Sequence, residues 1–140
     1  MSTNHLDMPL DHVGIAVRDL DHSTALYQKL LGTVAIHDEV VESQFVKVRF
    51  LQLGEHLIEL LQPLSENSSV SRFLKKRGEG LHHLAFRTND ILTEMDRLRE
   101  IGMHLLQEEP LYGANHKLIF FIHPRSMDGV LVEVCQPLPT

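Results

Sequence analysis

The chain has 140 residues, 43% hydrophobic and 23% charged, with a net charge of −6, which is one domain's worth of ordinary globular composition with no basic footprint for nucleic acid. No apolar run approaches the ~20 residues needed to span a bilayer, and the opening MSTNHLDMP carries no signal-like apolar stretch. The single cysteine, Cys135, leaves no partner for an internal disulfide and no multi-thiolate zinc site, so a cytoplasmic setting is expected.

In chain order, HVGIAV (12–17) reads as a strand, and Asp19 or Asp21 caps a helix that runs to Leu31 and stops at Gly32. Val34–Ile36 begins a second strand. Residues 45–53 alternate, with Lys47 and Arg49 opposite Val46, Val48 and Phe50. Gly54-Glu55 then turns the chain into a strand over residues 57–62. Ser68 or Ser69 caps a short helix with Val70, Phe73 and Leu74 on one face, ended by Gly78. A strand over 81–88 follows, then a helix capped by Asn89 or Asp90, with Ile91, Met95 and Leu98 at i, i+4, i+7 and a stop at Gly102. A short strand near His104–Leu106, a loop over 107–117, and a hairpin of 118–123 with 130–136 complete the chain. The predicted order is βαβββ (about 9–63), a linker helix (about 64–80) and βαβββ (about 81–137), in a single domain.

This order is an internal repeat. HVGIAVRDLDHSTALYQKLLG (12–32) parallels HLAFRTNDILTEMDRLREIG (83–102), and IELLQPL (58–64) parallels VEVCQPL (132–138). Each copy opens on a histidine, His12 or His83, and later carries a glutamate, Glu59 or Glu133, within an apolar strand. An unpaired buried carboxylate is costly and calls for a cation. One such glutamate alone is more often a structural ion pair, but two at equivalent places, each with its histidine, point to a shared metal site. Two imidazoles and two carboxylates suit Mn²⁺, Co²⁺, Ni²⁺, Fe²⁺ or Zn²⁺ better than Cu(I), and Co²⁺ or Mn²⁺ is the expected cofactor. His82 points away from His83's face and is expected to pack. Cys135 is expected to act as a small apolar residue.

The stretches DHVGIAV (11–17), IELLQPLSENSSVSRFLKKRGEGLHHLAF (58–86), EEPLYGANHKLIFFIHP (108–124) and GVLVEV (129–134) resemble the vicinal oxygen chelate (glyoxalase/bleomycin resistance) superfamily. Within it, the chain is similar to the methylmalonyl-CoA epimerases over nearly its whole length. The resemblance implies an α+β fold of two tandem βαβββ modules sharing a curved mixed sheet around a metal site, with His12, Glu59, His83 and Glu133 as ligands. It implies interconversion of (2R)- and (2S)-methylmalonyl-CoA by Cα proton abstraction through a metal-stabilised enolate, with Glu133 as one acid/base, and a homodimer. The family's other acid/base is a glutamate on the strand near residues 46–50, where this chain has Val-Lys-Val-Arg-Phe; that role is left unassigned. The resemblance further suggests substrate contacts at Gly113, Ala114, Asn115 and Lys117, and CoA phosphates near Lys75, Lys76, Lys117 or Arg125, where the plainer reading is a solvated surface. The alternatives are a glyoxalase-I-like isomerase (lactoylglutathione lyase) using the same ligands, or a non-catalytic small-molecule-binding module of the same fold.

Overall fold

The computed structural model describes residues 8–139. They divide into two compact units, one formed by His12–His82 and the other by residues 8–11 with 83–139.

In the first unit, strand β1 (Leu10–Ala16) runs parallel to β4 (His56–Pro63), with Gly14 opposite Glu59 and Ile15 opposite Leu60. β4 pairs antiparallel with β3 (Val46–Leu53), and β3 with β2 (Ala35–Val41), giving the order β2-β3-β4-β1. Helix α1 (Leu20–Leu31) starts where Asp19 accepts the His22 N–H, and it ends where Gly32, at φ +81°, donates to the Gln28 carbonyl. Helix α2 (Ser69–Arg77) is capped by Ser68 and ended by Gly78. Val17, Leu20, Leu51 and Leu60 form the core, joined by Ile15, Tyr27, Val34 and Ile58. Leu51 and Leu60 are fully buried, each contributing about 1.5–3 kcal/mol relative to exposure.

In the second unit, β5 (Gly80–Arg87) runs parallel to β8 (Val132–Pro137). β8 pairs antiparallel with β7 (Lys117–Ile122), and β7 with the three-residue β6 (Leu111–Gly113), giving β5-β8-β7-β6. Helix α3 (Ile91–Glu100), capped by Asp90, lays Ile91, Met95 and Leu98 against Phe120, Ile122, Val132 and Val134. Ile101 and Gly102 follow the helix in a turn.

The βαβββ order therefore occurs twice, as the repeat implied. Three local expectations change. β2 is longer than the sequence suggested, because its pairing with β3 carries it through Val41 across exposed side chains. The stretch near His104–Leu106 is one bridge, Leu105 to Ile122, rather than a strand. The predicted loop 107–117 contains β6, whose three residues are too short to show a period. No helix of the described residues is long and apolar enough to cross a membrane.

Candidate metal centre

Strand register decides what the repeated residues do. Residues two apart on a strand share a face, and partners across a strand pair share it too. Glu59 sits opposite Gly14, so His12, two residues earlier, lies on its face. Glu133 sits opposite Ala85, so His83, two residues earlier, lies on its face. The two units thus carry the same diagonal His–Glu pair across the same kind of parallel strand pair.

The side chains meet accordingly. His12 Nδ1 is 3.2 Å from Glu59 Oε2, and the residues are 2% and 5% exposed. His83 Nε2 is 3.5 Å from Glu133 Oε1, and these are 6% and 5% exposed. Small neighbours on the strands, Gly14 and Ala85, leave room for the imidazoles. The Phe121 ring meets the His83 ring edge-on, with centroids 5.8 Å apart.

Each pair fits a divalent cation. Donors in adjacent positions on an octahedral ion, with bonds of about 2.1 Å, lie roughly 3 Å apart, close to both separations. Imidazole nitrogen beside carboxylate oxygen is the donor chemistry of Mn²⁺, Co²⁺, Ni²⁺, Fe²⁺ and Zn²⁺. A buried carboxylate that accepts charge from a cation avoids the cost of desolvation.

The face of Glu133 continues along β8 and β7. Phe121 is opposite Glu133, Ile119 opposite Cys135 and Lys117 opposite Pro137. Lys117 is 5% exposed and its ammonium is paired with Asp11, which also accepts from Arg87 Nη1 at 3.2 Å. Lys117 therefore occupies a buried ion pair rather than the surface position expected of a contact to CoA phosphates. Lysine is almost never buried unless paired, so Asp11 accounts for its place. The partnership of Asp11, Lys117 and Arg87 was missed in the sequence. Its one signal is a charged residue, Asp11, beside His12 near the start of a strand whose other residues are apolar. Cys135 is fully buried, as expected of an apolar residue. Burial pushes its thiol well above the usual range, the carboxylates of Asp11 and Glu133 add to the rise, and Lys117 opposes it.

The remaining candidates spread out. Gly113 lies against Ile119, where a Cβ would come within 2.8 Å of that side chain. Ala114 is half-buried, and Asn115 and His116 are exposed in left-handed conformations, φ +60° and +56°. Arg125 is exposed on a 3-10 turn, with Nη2 3.2 Å from His104 Nδ1. Lys75 and Lys76 are exposed at the end of α2. His82 packs edge-on against Phe73 at 5.0 Å, and burial pulls its pKa down to about 4.

The model of the glyoxalase/bleomycin resistance protein/dioxygenase superfamily matches residues 11–121. The ethylmalonyl-CoA/methylmalonyl-CoA epimerase of Cereibacter sphaeroides is 40% identical over 91% of this chain and 96% of its own length. The chain belongs to the methylmalonyl-CoA epimerase family. A crystal structure of methylmalonyl-CoA epimerase from Mycobacterium tuberculosis superposes with a TM-score of 0.91 at 38% identity, covering 99% of this chain and 93% of that one. A methylmalonyl-CoA epimerase in complex with methylmalonyl-CoA and NH4+ superposes with a TM-score of 0.88 at 36% identity, over 93% and 94% of the two chains. The fold is that of the glyoxalase/vicinal oxygen chelate superfamily, as the repeat and the resemblance led one to expect.

Proposed function

We propose that the protein interconverts (2R)- and (2S)-methylmalonyl-CoA, and that His12, Glu59, His83 and Glu133 together hold one divalent metal ion, Co²⁺ or Mn²⁺ before the others. The observation that carries the reading is the His–Glu diagonal repeated in register in both units, in a chain of this family. When bound, the ion supplies Lewis-acid stabilisation of negative charge growing on the thioester oxygen.

The chain's own residues supply the proton chemistry. The Cα hydrogen of the substrate lies between a thioester carbonyl and a carboxylate, so its loss gives an enolate. Glu133 is assigned as a group that takes or returns this proton. It suits the role because Ile119, Phe121 and Cys135 share its face and keep water away, which strengthens every charge interaction there. Asp11 and Lys117 hold the strand ends beside it. The turn at Gly113, Ala114 and Asn115 is assigned to the acyl carboxylate, with its backbone N–H groups as donors, and Arg125 to the CoA phosphates. A homodimer in the cytoplasm belongs to the same reading, and sedimentation of the metal-loaded protein would check the dimer.

The test is to load the purified protein with Co²⁺ or Mn²⁺, add (2S)-methylmalonyl-CoA in D₂O and follow the Cα proton by NMR. Metal-dependent deuterium uptake with appearance of the other epimer supports the reading. No exchange with any divalent metal overturns it, and hemithioacetal substrates are then tried.

A further inference from the structure

The homodimer of the reading above leaves open which surface joins the copies, and the inference rests on that reading for the number of copies alone. β2 closes one end of the strand order, and among the described residues no strand pairs with its outer side. An edge strand presents a row of backbone N–H and C=O groups ready to pair, and soluble proteins blunt such edges with proline, lysine, a bulge or a very short strand. Ala35–Val41 has none of these. It is seven residues long, contains neither proline nor lysine, and keeps unbroken register with β3 throughout. β6, the edge strand of the second unit, has only three residues.

The side chains of β2 point the same way. Ile36 and Val40 are 48% and 49% exposed and share a face, with Asp38 between them. The charge that would guard this face is already engaged: Arg49 donates to both Asp38 oxygens, at 2.7 and 2.9 Å, and Lys47 Nζ lies 3.7 Å from Oδ2. The other face of β2 holds His37 and Glu39. The His37 ring is stacked on Phe50, 5.9 Å between centroids, which holds it in place.

We propose that β2 is the docking edge for a second copy of this chain, the two β2 strands pairing antiparallel about a two-fold axis with Asp38 at the centre. Symmetry leaves few choices. In an antiparallel pair related by a two-fold axis, one residue faces its own copy and its neighbours face each other in turn. Centring on His37 sets Ile36 against the partner's Asp38. Centring on Glu39 sets Asp38 against the partner's Val40. Of the three central registers, the Asp38 centre alone sets Ile36 against the partner's Val40 and His37 against the partner's Glu39, each pair occurring twice. Apolar then meets apolar on one face, and an imidazole N–H meets a carboxylate on the other. The two central aspartates are tolerated because each is already neutralised by its own Arg49.

The same register brings apolar ends together. The exposed Leu31 ends the helix before β2, and the exposed Phe45 follows the 3-10 turn of Glu42–Gln44 after it. Antiparallel pairing lays the Leu31 end of one copy beside the Phe45 end of the other. That extends the contact beyond a seven-residue ladder, toward the area a stable dimer needs.

The test is sedimentation equilibrium of the full chain, as wild type and as Val40→Lys, His37→Glu, Glu39→Lys and the double variant His37→Glu with Glu39→Lys. Wild type is expected to be a dimer. Each single variant sets a lysine on the edge or like charges across the axis, and is expected to raise the dimer dissociation constant by roughly tenfold or more. The double variant puts opposite charges across the axis again and is expected to recover most of the affinity, which two independent injuries to the fold would not do. A dimer of wild-type strength in all four variants overturns the proposal and leaves the homodimer standing. So do losses in the single variants with no recovery in the double. A monomeric wild type overturns the homodimer and this edge with it, while proton exchange from methylmalonyl-CoA, measured separately, decides the epimerase reading.

Discussion

Gln62 and Gln136 perform the same act in the two halves of the chain. The side-chain oxygen of Gln62 accepts the backbone N–H of Leu20 at 2.9 Å, and that of Gln136 accepts the backbone N–H of Ile91 at 2.8 Å. Each glutamine, at the end of a ligand-bearing strand, thereby meets one of the unsatisfied N–H groups at the start of α1 or α3. Replacing either by leucine leaves a partly buried donor without its acceptor. We expect each substitution to lower stability by about 1–3 kcal/mol, read as a shift in the urea midpoint at constant slope. Equal midpoints in wild type and variants would remove the helix-anchoring role.

Glu133→Gln separates binding from chemistry. We expect it to cut turnover by roughly 10²–10⁴-fold while changing the affinity for CoA thioester much less. Calorimetry and progress curves on the same preparation supply both quantities. Equal losses in affinity and turnover would argue that Glu133 only shapes the site.

Metal content is checked without activity. An ion that binds the folded state alone stabilises it by about 2.7 kcal/mol at a hundredfold excess over its dissociation constant. Adding Co²⁺ or Mn²⁺ to chelator-treated protein should therefore raise the melting temperature, and His12→Ala or Glu59→Ala should reduce the rise. A melting temperature indifferent to every divalent metal would count against the four-ligand site.

Asp38 gives a pH signature. Its hydrogen bonds to Arg49 hold the carboxyl below its ordinary 3.8, outweighing the opposing effect of burial. A carboxyl depressed in the folded state contributes stability above its unfolded value, lost as pH falls through the folded one. Asp38→Asn should thus be less stable than wild type near neutrality, and the difference should shrink once pH drops below 3.8. Chemical denaturation at a series of pH values measures it, and a pH-independent difference would contradict the linkage.

Gly113→Ala tests close packing. The added Cβ would meet Ile119 at 2.8 Å, and Ile119 is itself 4% exposed. Overpacking of this kind costs about 1–3 kcal/mol. Shortening the neighbour, Ile119→Val, should recover part of the loss in the double variant, a non-additivity that thermal melts can detect.

Much of this was legible because it is periodic or repeated. Alternation placed Lys47 and Arg49 opposite Val46, Val48 and Phe50, and duplication singled out His12, Glu59, His83 and Glu133. The caps Asp19, Ser68 and Asp90 follow from side chains that accept N–H groups two or three residues on. What stayed hidden lacks a local signal. β6 is shorter than any period, and β2 owes its length to its partner. Arg49 finds Asp38 only once β2 has folded back along β3, and Lys117 finds Asp11 across 106 positions.

That last pairing bears on the order in which the protein is made. Strands β1 to β4 and helices α1 and α2 all lie between Leu10 and Arg77, so they are synthesised before the rest of the chain. Asp11 cannot be settled then, for Arg87 and Lys117 arrive much later. A ribosome-bound chain halted before Lys117 would hold Asp11, the second residue of β1, without the ammonium it pairs with, so the closing of that ion pair comes late in folding rather than at its beginning.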